Sequence, residues 1–180
     1  MLRITVPETE RWDSQREEFV YTKRQELQLE HSLVSLSKWE ARWNKPFLSR
    51  EDKTTEEISD YVRCMTLTQN VQDEVYGCLS QENISQIEKY IEAPMTATTF
   101  SPDPAESGGR SIITAEIIYY WMVSFNIPFE CQKWHLNRLL TLIKVCERKS
   151  RPARKRSQHE IAARNRSLNA QRRARLGSRG

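Results

Sequence analysis

The sequence predicts a mainly α-helical fold: a compact helical bundle with a short N-terminal β-hairpin and a basic C-terminal arm. Only five of the 180 residues are glycine, which favours uninterrupted helices over a turn-rich fold. Five tryptophans supply large apolar side chains for a core. Along most of the chain after residue 24, apolar residues recur at spacings of three and four, which is the period of a helix.

The N-terminal segment predicts a hairpin within residues 2–22. Residues 2–6 alternate between apolar and polar types, and residues 19–22 form a second β-rich run. A hairpin alone is marginal in water, so we expect this one to pack against the helices.

Helical patterns follow in order along the acidic part of the chain. Residues 24–43 predict the first long helix, with an apolar stripe at Leu29, Leu33, Leu36, Trp39 or Glu40, and Trp43. Thr54 and Glu57 have the spacing of a capping box and predict the start of a second helix. Its apolar face is predicted at Ile58, Tyr61, Val62 and Met65. Shorter helices are predicted over residues 71–78 and 81–92.

Residues 95–111 predict the longest loop because they are rich in proline, serine and glycine. The next segment, residues 114–125, is apolar almost all round. Such a helix is typically buried on several sides. We therefore expect it to be the central helix of the bundle, with Trp121 buried. Residues 130–148 predict the last helix of the body.

The charge distribution divides the chain into a body and an arm. Residues 1–147 carry a net charge of −7, whereas residues 148–180 carry +11. Pro152 predicts a hinge near residues 150–156, and residues 161–176 predict a helix with a thin apolar stripe. The cations that we expect to bind a partner are Arg151, Arg154, Lys155, Arg156, Arg164, Arg166, Arg172, Arg173 and Arg175.

The arm indicates a polyanionic partner without identifying it. Its cations could hold nucleic acid by releasing counterions, but no aromatic residue follows Trp134 to stack on bases. Binding to nucleic acid would therefore be non-specific. The equal alternative is an acidic protein surface, including the acidic body of a neighbouring copy in a homo-oligomer.

No catalytic, cofactor-binding or metal-binding residues are predicted, and no cofactor is expected. Phosphate-loop, nucleophile-elbow and zinc-protease motifs do not occur in the sequence. Cys131 and His135 are four residues apart, a spacing that suits metal ligands or a thiolate–imidazolium pair. Their apolar neighbours favour two core side chains instead. His31 is expected to be a partly exposed residue of the first helix.

The expected location is the cytoplasm, without membrane association. The N-terminus shows no signal-peptide pattern, and the apolar stretches are too short and too polar to span a bilayer. The four cysteines are therefore expected to remain reduced.

Several segments together resemble a known family. They are LVSLSKWE at 33–40, KPFL at 45–48, QEN at 81–83, PMTAT at 94–98, ITAEIIYYWM at 113–122, PFECQKWHLNRLLTLI at 128–143 and RNRSLNA at 164–170. They resemble small proteins encoded among the tail genes of tailed bacteriophages, which are described as tail assembly chaperones. The resemblance covers nearly the whole chain.

The resemblance implies a non-catalytic chaperone in the host cytoplasm that binds the phage tape measure protein during tail morphogenesis. The tape measure is a long, apolar helical chain whose exposed stripes would aggregate. The chaperone would cover those stripes and yield them to tail tube protein. Two alternatives stay open: a structural virion component, such as a connector or baseplate-region subunit, and a non-specific nucleic-acid-binding accessory protein.

Overall fold

A computed structural model describes residues 1–13, 17–100, 112–151 and 158–177. The fold is mainly α-helical with β-structure at the N-terminus, as predicted. The strands are β1 (Leu2–Val6), β2 (Thr9–Asp13), β3 (Glu18–Thr22) and β4 (Gln25–Leu29). The α-helices are α1 (Leu33–Trp43), α2 (Thr55–Met65), α3 (Gln81–Glu92), α4 (Ala115–Ser124), α5 (Leu136–Ser150) and α6 (Gln158–Leu176). Within the described residues, 3-10 helices cover Asp73–Cys78 and Phe129–Lys133.

The four strands form one long hairpin that consists of two paired segments. β1 pairs antiparallel with β4, and β2 pairs antiparallel with β3. Leu2 lies opposite Leu29 and Thr9 lies opposite Thr22, so the register is the same on both sides of the break at Pro7. Proline lacks the N–H group that a ladder needs, which accounts for an interruption there. The partner of residues 2–6 is thus β4 and not the run at residues 19–22.

The prediction of a helix from residue 24 is wrong for its first part, because Gln25–Leu29 is β4. Leu27 and Leu29 are fully buried, while Glu26 and Gln28 between them are exposed. That alternation is the period of a strand. Leu29 also lies four residues before Leu33, so it fitted the helical stripe equally well.

The capping box that predicts the second helix is confirmed. Thr54 Oγ1 accepts the Glu57 backbone N–H at 3.2 Å, and Glu57 Oε2 accepts the Thr54 N–H at 2.8 Å. On the same helix Tyr61, Val62 and Met65 are buried as predicted, but Ile58 is exposed.

The central helix is α1, not the segment at residues 114–125. Two apolar clusters form the core. Trp39 of α1 lies in the first cluster with the base of the hairpin, α2 and α3. Leu33 and Leu36 of α1 lie in the second cluster with α4 and α5. α1 therefore lies between the two clusters and contributes side chains to both of them.

The predicted helix over residues 130–148 is interrupted. The 3-10 helix Phe129–Lys133 ends before Trp134, and α5 begins at Leu136. Between them His135 forms an isolated antiparallel bridge with Ser32, and the Leu136 N–H donates to the His31 carbonyl at 2.7 Å. This pairing holds the backbone extended at His135, so one continuous helix is excluded.

The chain divides into two compact units, Met1–Glu147 and Arg148–Gly180. In the second unit the described residues form the last residues of α5 and the helix α6. Of the predicted loop, residues 101–111 lie outside the described residues, and so do residues 152–156 of the predicted hinge. Among the described helices, none is long and apolar enough to cross a membrane.

Candidate protein-binding surfaces

The basic arm presents its described cations to solvent. Arg151 and five arginines of α6 are exposed; the latter are Arg164, Arg166, Arg172, Arg173 and Arg175. The other three predicted partner-binding residues, Arg154, Lys155 and Arg156, lie outside the described residues. Within α6, all described side chains from residue 161 onward are exposed, as the thin apolar stripe predicted.

The arginines of α6 fall on two faces of the helix. Ile161, Arg164, Leu168, Arg172 and Arg175 follow one another at spacings of three and four, so they share one face. We call these five residues the α6 stripe. Arg166 and Arg173, seven residues apart, share the opposite face. The α6 stripe thus combines positive charge with two exposed apolar side chains.

A second surface is the side of α4 that faces solvent. Tyr120 is 68% exposed and Val123 is 59% exposed, and Ile117 on the same side is half-buried. We call these three residues the α4 outer face. The opposite side of α4 is fully buried through Ala115, Ile118 and Met122. The expectation that this helix is buried on several sides is therefore wrong.

The apolar surface continues beside the α4 outer face. Tyr119 is half-buried and lies next to Phe129, with ring centroids 6.4 Å apart. Its hydroxyl donates to Gln132 Oε1 at 2.9 Å, and burial raises its pKa. Phe129 itself is exposed. Trp121 is only half-buried and packs against the edge of the second cluster, so the expectation that it is buried is wrong.

The α4 helix is positioned by a carboxylate from α1. Glu40 is buried, and its Oε2 accepts the Ala115 N–H at 2.7 Å at the start of α4. Its Oε1 accepts the Phe47 N–H at 2.9 Å. Burial raises the pKa of Glu40, and the two backbone donors oppose that effect. This contact anchors the first turn of α4 to α1.

A third surface is an aromatic face on the outer half of the hairpin. Trp12 and Phe19 lie opposite each other on β2 and β3, with their rings edge to face and the centroids 4.9 Å apart. Tyr21 is on the same face, opposite Glu10. All three aromatic residues are exposed, Phe19 to 66% and Tyr21 to 60%. We call Trp12, Phe19 and Tyr21 the hairpin face.

The other side of this half of the hairpin packs against the body. Thr22 is buried, and its hydroxyl lies 3.6 Å from Cys78 Sγ in the first 3-10 helix. The sequence predicts that the five tryptophans supply the core. Only Trp39 is fully buried, and Trp12 lies outside the core because the alternation of β2 turns it away from the body.

Two buried histidines, His31 and His135, lie next to each other inside the body, which the sequence did not predict. The expectation of a partly exposed, helical His31 is wrong: it is 2% exposed and precedes α1. Its Nδ1 lies 2.6 Å from the Tyr61 hydroxyl. His135 is also buried and donates from Nε2 to the Tyr90 carbonyl at 2.9 Å. These contacts are compatible with neutral imidazole rings at both positions.

Cys131 and His135 are both buried, so the expectation of two core side chains agrees with their positions. They do not share one α-helix, because Cys131 belongs to the 3-10 helix and His135 follows it. Across the described ranges, no group of three or more potential metal ligands occurs.

No family model, curated protein sequence or solved structure matches the chain.

Proposed function

We propose that the protein is a non-catalytic tail assembly chaperone of a tailed bacteriophage. In this proposal it binds the tape measure protein in the host cytoplasm during tail morphogenesis and yields it to the tail tube protein. The observation that carries the proposal is the α4 outer face, an apolar helical surface open to solvent. The resemblance of the sequence segments to tail assembly chaperones supplies the identity of the partner.

The α4 outer face has the geometry for binding an amphipathic helix. Ile117, Tyr120 and Val123 are three residues apart in turn. A partner helix with apolar anchors at similar spacing can pack along such a row and bury both stripes.

The experiment is co-expression of the full-length protein with the tape measure protein from the same tail gene cluster. The soluble fraction of the tape measure protein is the measurement. We expect wild-type protein to increase this fraction and the double variant Tyr120→Ser/Val123→Ser to lose most of the increase. Exposed substitutions seldom change stability by more than about 0.5 kcal/mol, so the variant should remain folded.

Ile58→Ser is the matched control, because Ile58 is an exposed aliphatic residue on α2. It should solubilise the tape measure protein as well as wild type does. An equal loss in both variants, or no solubilisation by wild type, would contradict the proposal. Mass spectrometry of purified virions adds a second test, since stoichiometric retention of the protein would indicate a structural virion component instead.

A further inference from the structure

We infer that the protein self-associates, with the hairpin face of one copy binding the α6 stripe of a second copy. This inference is independent of the tape measure proposal, because it uses different surfaces. It assigns a partner to the one strongly basic segment of the chain and to the exposed aromatic residues of the hairpin.

The hairpin face has the chemistry of a site for arginine. Trp12, Phe19 and Tyr21 present exposed rings, and aromatic rings attract guanidinium groups through their negative faces. Glu10 lies opposite Tyr21, and the Tyr21 hydroxyl donates to Glu8 Oε2 at 3.3 Å. Two carboxylates therefore lie beside the aromatic rings. Arg11 lies between Glu10 and Trp12 on β2, and Lys23 and Arg24 follow β3 toward the base of the hairpin.

The α6 stripe has the complementary chemistry. Arg164, Arg172 and Arg175 provide guanidinium groups, and Ile161 and Leu168 provide apolar contacts on the same face. A helix of this composition buries nothing by itself, because all its described side chains from residue 161 onward are exposed. A partner surface that is both aromatic and acidic would bury the apolar residues and pair with the arginines at once.

The overall charge favours a second copy as the occupant. The body, residues 1–147, has a net charge of −7 and the arm, residues 148–180, has +11. Two copies can therefore attract each other through opposite ends, and the attraction steers encounter at low salt. A contact between two different surfaces of identical chains is heterologous, so it forms a ring or an open chain unless two arms exchange reciprocally.

The test uses full-length protein and measures its association by sedimentation equilibrium at several salt concentrations. We expect wild type to associate at about 50 mM salt and to dissociate as screening increases. We expect two charge-reversal variants, Glu8→Lys/Glu10→Lys and Arg164→Glu/Arg172→Glu, to associate more weakly. Each should raise the dissociation constant by at least about tenfold. Mixing these two variants should restore association, because the reversed charges again face each other.

The chain offers a control with the same change in charge. Arg166→Glu/Arg173→Glu removes the same charge from the opposite face of α6 and should leave association nearly unchanged. An aromatic variant, Phe19→Ser/Tyr21→Ser, should weaken association without changing net charge. Circular dichroism verifies that each variant retains its helices.

Three results would overturn the inference. One is a wild-type protein that stays monomeric at about 100 μM and low salt. Another is an equal loss of association in the Arg164/Arg172 and the Arg166/Arg173 variants. That result would indicate binding through overall positive charge and not through one face of α6. The third is salt-sensitive binding of the arm to duplex DNA while association is unaffected by every hairpin variant, which would indicate a nucleic-acid partner.

Discussion

His31 and His135 lie edge to face in the core, with their ring centroids 5.1 Å apart. His31 precedes α1 and His135 precedes α5. The two segments are joined by a hydrogen bond from the Leu136 N–H to the His31 carbonyl. Burial lowers the pKa of His31 to about 3, and the neighbouring His135 contributes to the shift. Burial likewise lowers the pKa of His135. Tyr61, Tyr90, Glu30 and the N-terminal ammonium of Met1 are the other titratable groups described around the pair.

The histidine pair predicts that the protein loses stability as the pH falls from 6.5 toward 3. The folded pKa is below the unfolded value, so in this window the unfolded chain binds protons that the folded chain excludes. Each such proton contributes a slope of about 1.4 kcal/mol per pH unit. Urea unfolding at several pH values between about 7 and 4 measures the slope.

His135→Gln is the informative variant for this prediction. A glutamine amide can still donate to the Tyr90 carbonyl but does not titrate. The variant should have a shallower loss of stability with acid than wild type, while slopes from carboxylates remain in both. Identical slopes would mean that His135 does not exclude a proton in the folded state.

The sequence predicted the fold class because most helices carry local signals. The capping residues Thr54 and Glu57 specify the start of α2 without any tertiary information. The boundary between β4 and α1 could not be predicted in the same way. Leu27 and Leu29 alternate as a strand, but Leu29 and Leu33 also continue a helical stripe, and only pairing with β1 decides between the two periods.

The candidate surfaces show a different limit of the sequence. The apolar composition of α4 predicts burial, but the core has room for only one side of that helix, so Tyr120 and Val123 remain in solvent. Likewise, Trp12 is a typical core residue by type. Its exposure depends on which face of the hairpin packs against the body, and that is set by long-range contact between β3 and the first 3-10 helix.

The carboxylate of Glu40 predicts a second stability effect. Glu40→Ala would leave the N–H groups of Phe47 and Ala115 without their acceptor in a buried site. We expect a loss of about 2–4 kcal/mol in the free energy of unfolding. Glu116→Ala, at an exposed residue in the first turn of α4, should stay within about 0.5 kcal/mol of wild type. Urea denaturation compares the two, and equal losses would contradict the role of Glu40.

Replacing Trp39 should destabilise the protein more than replacing Trp121, although the sequence alone predicts that Trp121 belongs to the central helix. Trp39 is fully buried, donates from Nε1 to the Glu57 carbonyl at 2.8 Å and contacts Phe47. Trp39→Ala should cost about 3–5 kcal/mol. Trp121 is half-buried, so Trp121→Ala should cost about 1–2 kcal/mol. Thermal and urea unfolding give both values, and the reverse order would place α4 at the centre of the core.

Removal of the arm predicts separate effects on stability and on association. A chain that ends at Ser150 loses α6, whose described side chains from residue 161 onward are exposed. Few apolar contacts are lost with it, so the free energy of unfolding should change by no more than about 0.5 kcal/mol. Self-association should disappear at every salt concentration, because the α6 stripe is gone. Urea unfolding and sedimentation of the same sample measure the two effects.

If the shortened chain loses several kcal/mol, α6 stabilises the body and its exposed stripe is not free for a second copy. If the chain keeps its stability and still associates, the contact between copies lies within residues 1–150, and the α4 outer face becomes the surface to test.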